Sequence, residues 1–217
     1  MGKAFELRLI EDVLADGATL ALPPDGVNRA FYVVHGSVAV AGRTLQADDG
    51  VHVCGAAGLL GGEAGATLWR WELVTADAAS PAVAGQGSST RKLAAALAWP
   101  VADRVLMRLD SVSFPPGGCA LLHTHQGPGI RCLIEGAIRI DTHGRSTSYG
   151  PGSPWFEAGP EPVFAQAAAD RPSRFIRAMI LPAGLVGRSS IAYVNAEDRD
   201  KPKSQKYKGY VDQPIDV

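Results

Sequence analysis

Two histidines one residue apart, His123 and His125 in LLHTHQGPGI, are the residues of this chain best suited by type and spacing to do chemistry. On an extended strand residues i and i+2 point to the same face, so the pair can offer two imidazoles to one ion. Neutral imidazole suits Fe, Ni, Cu, Mn or Zn to different degrees, and two ligands alone do not choose among them. Competing chemistries lack their residues. There is no GxSxG elbow, phosphate-binding loop, dinucleotide glycine fingerprint or HExxH helix. Cys54, Cys119 and Cys132 form no CxxC and no spaced zinc pair.

The elements that must position the pair come from a repeat. PPDG before AFYVVHGSVAVAGR is echoed by PPGG before IRCLIEGAIRIDTHGR, with Gly36 falling on Gly136. LQADDGVHV then resembles SYGPGSPWF, and ATLWRWELV resembles RFIRAMILP. Each half reads as short β-branched and aromatic runs bounded by Gly, Pro and Asp, the signature of strands and turns. Between the halves Ser88, Ser89 and Thr90 supply caps, Leu93 and Leu97 an i,i+4 stripe, and Pro100 a stop, which predicts a helical linker over 88–100. The halves differ most between their glycines. Gly26 to Gly36 spans 10 residues and Gly118 to Gly136 spans 18, and the added stretch holds His123 and His125.

Composition agrees with an all-β reading. The 25 Gly and 15 Pro among 217 residues exceed average usage of about 12% for the two together. With 21 Lys and Arg against 22 Asp and Glu, the net charge of −1 argues against nucleic acid as a partner. No run approaches 18 consecutive apolar residues, so no membrane span is expected, and the odd cysteine count fits reduced thiols in a cytoplasmic protein. The segment from Asn195 to Val217 is polar and lacks periodicity, yet carries Tyr207, Tyr210, Val211 and Ile215. It reads as an arm that could cross to a neighbouring subunit.

PPGGCALLHTHQGPGIRCLIEG followed by YGPGSPWFEAGPEPVF resembles the cupin superfamily, and the repeat makes the chain look like a bicupin. Gly117, His123, His125 and Gly136 match the first cupin motif in spacing, with Gly129 where its glutamate ligand stands. Gly152 opens the second motif, but Val163 replaces its histidine, and Ala158, Pro160 and Ala167 replace its Pro, Gly and Asn. The resemblance implies an N-terminal degenerate barrel over 1–87, the linker over 88–100, a C-terminal barrel over 101–194 carrying the site, and a polar arm over 195–217, in a protein that dimerises.

It also implies a divalent transition metal (Fe, Ni, Mn or Zn) on His123 and His125, with Glu157, Glu161 or Gln166 as substitute oxygen donors and Glu157 foremost, or with water in the open positions; the other outcome is an empty site in which the histidines are polar pocket walls. If Gly129 faces the interior, strand alternation puts Arg131 there too. A guanidinium inside a barrel needs an anion, either the carboxylate of a small ligand or Glu157 or Glu135. The same alternation would carry Cys119 to the face of His123. Trp155 and Phe156 are expected at the rim. Two functions stay open. One is a metal-dependent enzyme, dioxygenase- or isomerase-like, acting on a small organic acid; the other is a non-catalytic small-molecule-binding or sensory protein.

Overall fold

The computed structural model describes residues 4–23, 26–78, 84–98 and 104–217. The chain divides into two compact units, Met1–Pro100 and Val101–Val217. The first holds β1 (Phe5–Leu14), β2 (Thr19–Leu22), β3 (Asn28–Val40), β4 (Arg43–Gln46), β5 (Gly50–Cys54), β6 (Ala57–Thr75), β7 (Ala84–Gly85) and β8 (Gly87–Leu97). The second holds β9 (Arg104–Phe114), β10 (Cys119–His125), β11 (Gly129–Glu135), β12 (Ile138–Thr142), β13 (Arg145–Tyr149), β14 (Pro154–Glu157), β15 (Val163–Ala167) and β16 (Ser173–Pro182). β17 (Ile191–Tyr193) and β18 (Lys206–Asp216) complete it, and short 3-10 turns are the only helical geometry among the described residues. No helix there is long and apolar enough to cross a membrane.

The all-β expectation therefore holds, but the helical linker does not. Gly87–Leu97 is β8, hydrogen-bonded antiparallel along β1 inside the first unit. The caps and the Leu93/Leu97 stripe satisfy a helix locally. Ten residues of β1, with an otherwise open edge, satisfy the same backbone with a full ladder. The remainder of the expected linker at Trp99 and Pro100, and the turn residues Pro24 and Asp25, lie outside the described residues.

In the second unit one sheet runs β13-β12-β15-β10-β17 and the other β14-β11-β16-β9-β18, all antiparallel. Their inner faces share one core. Val112, Phe114, Leu133, Trp155 and Phe175 from one sheet pack against Ala120, Ile138, Ile140, Val163 and Ala165 from the other. The expected arm is part of this unit: Lys206–Asp216 lies along its own β9, with Val211 and Ile215 buried. Here too a strand edge decides, because an unpaired β9 would expose a row of backbone donors and acceptors. The segment therefore has its ladder partner within its own unit.

The repeat is physical. Gly36 and Gly136 both sit at positive φ, 72° and 79°, at corresponding bends. A Cβ would lie 2.0 Å from the Gly65 carbonyl oxygen in one and 2.2 Å from that of Pro172 in the other. Both the dihedral and the close approach exclude a side chain. Gly136→Ala is expected to cost at least about 3 kcal/mol, against about 1 kcal/mol for Gly144→Ala, which shares the positive φ but meets open space. Urea unfolding of the two variants, with equal losses as the contrary result, checks this.

Candidate metal and ligand site

β10 presents His123 and His125 to the interior, where both are buried. β17 pairs with this end of the strand, His123 opposite Tyr193 and His125 opposite Ile191. The expected convergence is present: the two Nε2 atoms are 3.2 Å apart and the rings meet edge to face, centroids 4.8 Å apart. His123 Nδ1 lies 2.7 Å from the Leu121 carbonyl oxygen. A carbonyl only accepts, so Nδ1 carries the proton and the Nε2 lone pair faces His125. His125 Nδ1 is buried and has no hydrogen-bond partner among the described residues.

The other sheet supplies the charges. Strand pairing places Trp155, Arg131, Arg177 and Asp110 in one row across β14, β11, β16 and β9. One step along, Glu157 stands opposite Gly129. Arg131 is fully buried; its Nη1 donates to the Gly129 carbonyl at 2.7 Å and its Nη2 lies 2.7 Å from Glu157 Oε2. That second contact is close as an ion pair but poorly aligned as a hydrogen bond, which leaves Nη2 and Oε2 formally unsatisfied. Trp155 Nε1 donates to Glu157 Oε1 at 2.8 Å. Arg177 grips Asp110 with two bonds, 2.6 and 3.1 Å. A Cβ on Gly129 would come 3.0 Å from Arg131 Nη1 and 2.6 Å from the Ala178 carbonyl oxygen. The bare glycine in the acidic position thus admits the close approach of β16 foremost, with the guanidinium against it as well.

Electrostatics follow from this crowding. Burial, then the nearby Glu157 acting in the opposite sense, brings the Arg131 pKa down to about 10, so it remains a cation at neutral pH. Burial foremost, and after it Arg131 and Arg177, holds His125 well below its ordinary 6.5; burial also lowers His123. Both imidazoles are neutral at pH 7 and have lone pairs to offer.

Among the described residues no group of three or more His, Cys, Asp or Glu side chains is arranged to hold a metal ion. The distances say why. Two Nε2 atoms 3.2 Å apart suit one ion about 2.0–2.1 Å from each. Glu157 Oε2, however, sits 3.6 Å from His125 Nε2 and is turned to Arg131. Two donors fit an ion as they stand, and the third fits only when Arg131 lets go. The space enclosed by these groups is about 20 Å³, room for one water or ion.

Other expectations resolve differently. Glu161 is on the surface near His143, and Gln166 donates to the Gly117 and Gly118 carbonyls, so neither reaches the pair. Cys119 does not share the face of His123. A register shift between Ala120 and His123 turns Ala120 inward and leaves the thiol half-buried outside the pocket. Trp155 is a core residue rather than a rim residue, stacked on Tyr149 and holding the carboxylate. Asp110 and Arg177 were not anticipated. Their only sequence signal is a charge inside each of the apolar runs RVLMRLDSV and RFIRAMIL.

No protein-family model matches the chain, and no curated protein does. Solved structures are similar to it. Oxalate decarboxylase from Bacillus subtilis, in a structure concerned with its Mn(II) centres, gives a TM-score of 0.61 at 13% identity over 90% of this chain and 73% of that one. The same enzyme at pH 4.6 gives 0.59 at 12% identity over 92% and 72%. A point variant of it gives 0.63 at 13% over 93% and 74%. The fold is that of the cupins. At this identity the likeness carries the cupin fold to this chain and no chemistry with it.

The lowered histidine pKa values predict an acid-labile centre. As pH falls below 6.5 the unfolded chain takes up protons that His123 and His125 in the folded state refuse, so stability is lost from there downward. Between pH 7.5 and 5.5 the native protein should lose about 1–3 kcal/mol more than a His123→Gln, His125→Gln variant. Parallel slopes of urea-derived stability against pH would contradict this.

Proposed function

We propose that the chain is a bicupin whose second unit binds a divalent transition metal and a small organic acid at one centre. The observation that carries the reading is the pair of neutral, buried imidazoles with Nε2 atoms 3.2 Å apart, facing the buried Glu157 and Arg131. His123 and His125 hold the ion, and Glu157 is the third donor. Bound there, a metal would polarise or activate a group of the acid. Everything else is the work of this chain's residues. His123 keeps its ligating tautomer through the Leu121 carbonyl, and Trp155 holds one oxygen of Glu157 while the other stays on Arg131.

Arg131 is a guanidinium with one carboxylate to neutralise it, so a ligand carboxylate can take it over only by exchange with Glu157. Exchange leaves Glu157 free to turn toward His125, 3.6 Å away. Acid and metal then support each other, because the acid on Arg131 completes the donor set. Mn is among the metals that this set of two imidazoles and a carboxylate accommodates, with Fe, Ni and Zn. A second reading, a non-catalytic binder, draws on the enclosed 20 Å³, which leaves little room for turnover in this conformation. The homodimer implied by the cupin resemblance belongs to the same proposal.

Metal analysis of the purified protein against a His123→Ala, His125→Ala variant tests the reading. We expect near-stoichiometric metal in the first and none in the second; equal substoichiometric metal in both removes the ion from the centre. Arg131→Leu deletes the competing cation and frees Glu157, so Mn(II) affinity should rise by roughly tenfold while binding of acetate or oxalate is lost. Unchanged affinity for both the metal and the acids would refute the exchange.

A further inference from the structure

Next to the enclosed centre lies a second, much larger cavity of about 520 Å³. The two spaces share a wall: Arg177, Ile191 and Tyr207 line both. Arg177 is fixed in that wall by Asp110, while Tyr207 is 52% exposed, standing on the edge strand with its ring centroid 5.7 Å from the Arg177 guanidinium carbon. Of the three shared residues Tyr207 is the exposed one, so its side chain is the part of the wall freest to change rotamer.

The rest of the lining states what the cavity suits. Arg108, Arg177 and Arg188 face it together with Asp110 and Asp212. Asp212 engages Arg108 at 2.7 Å and Asp110 engages Arg177, so the cations outnumber the carboxylates by Arg188. The exposed Arg188 side chain has no ion pair or hydrogen bond among the described residues. One uncompensated positive charge at the mouth draws anions. Tyr207, Tyr210, Val211 and Ile191 give the walls apolar and aromatic surface. Gly209, paired with Asp110 across the ladder, leaves an open stretch of wall in which a Cβ would meet nothing within 4 Å. A volume of 520 Å³ is ample for a ring-bearing molecule, whereas 20 Å³ takes one water or ion.

We propose that this cavity holds the body of the organic acid, and that the ligand class is a monocarboxylate carrying an aromatic ring rather than a compact diacid such as oxalate. The inference rests on the acid-binding reading above and adds the size and character of the acid. Its carboxylate points inward past Tyr207 to Arg131, and its ring lies against Tyr207, Val211 and Ile191 with Arg188 at the entrance.

Calorimetric titration of the full-length protein, metal-free and Mn(II)-loaded, with oxalate, phenylacetate and indole-3-acetate tests it. The ring-bearing acids should bind tighter than oxalate by about tenfold or more, the gain expected from burying a ring. Gly209→Trp, which fills the open wall, should abolish that advantage and leave oxalate binding and metal uptake unchanged. Arg188→Glu provides a variant on an exposed turn that does not depend on repacking. It should weaken indole-3-acetate but not its neutral amide. Oxalate binding as tightly as the ring-bearing acids, or insensitivity to both substitutions, overturns the proposal. Metal uptake is read on the same samples. Protein that takes indole-3-acetate without metal keeps this inference and loses the metal; protein that takes metal and oxalate but shows no preference for a ring does the reverse.

Discussion

A guanidinium with no access to solvent must find an anion, and in the second unit Arg131 finds Glu157. Much of the centre is arranged around that requirement. Gly129 is bare because β16 crowds it, the Ala178 carbonyl oxygen foremost, and Arg131 Nη1 lies against the same bare position. Trp155 gives up its indole proton to the same carboxylate. The imidazoles stay neutral partly because two guanidinium groups stand near them. Removing either member of the pair would leave a buried charge without a partner, a loss of about 3–5 kcal/mol. Exchanging one carboxylate for another would not. That asymmetry favours a centre that trades anions over one that empties.

The first unit, one eight-stranded sheet where the second has two of five strands, has pairings that correspond in part, with the polarity resolved differently. Gly36 and Gly136 set the alignment, so Phe31 corresponds to Arg131, and Val51 and Val53 on β5 correspond to Trp155 and Glu157 on β14. Arg70, the ladder partner of Phe31, corresponds to Arg177, the partner of Arg131. Arg70 is held by Asp12 at 2.7 and 2.9 Å and touches Glu72, which in turn holds Arg29 at 2.8 Å. Those four charges alternate in sign and neutralise one another. Around them Leu20, Leu22, Phe31, Val33 and Val51 fill the interior. Among the described residues of this unit, each buried arginine has a carboxylate partner.

The parts of this legible in the sequence are those set by short-range geometry. Alternation brings His123 and His125 together and turns Arg131 inward, because β10 near its end and β11 from Gly129 to Leu133 are regular. The same rule fails for Cys119, since the register slips between Ala120 and His123, and nothing local announces that irregularity. The failure at 88–97 is of the same kind. Capping residues and a leucine stripe describe what a segment would do alone, and the open edge of β1 settles what it does in the fold. Tyr207 and Val211 are hard to place from sequence for the opposite reason: their partners lie about a hundred residues earlier on β9. Long-range pairings of charge, such as Arg177 with Asp110, are equally invisible to a reading by windows.

The likeness to oxalate decarboxylase and the local chemistry therefore carry different weight. At 13% identity a shared fold says that a strand pair and a facing sheet can place side chains around one point. It does not say which side chains. Here the point is enclosed by two imidazoles, one carboxylate and a guanidinium that binds it. A cation already occupies part of the space around the donors, and it belongs to the protein. On the proposed exchange, an incoming metal would share Glu157 with it, whereas an incoming carboxylate would give Arg131 a second partner. Charge alone would then order the affinities, with metal binding weakest without an acid and strongest with one. By reciprocity the acid would gain the same factor from the metal. The proposed centre would respond to the two together, which a set of four metal ligands would not require.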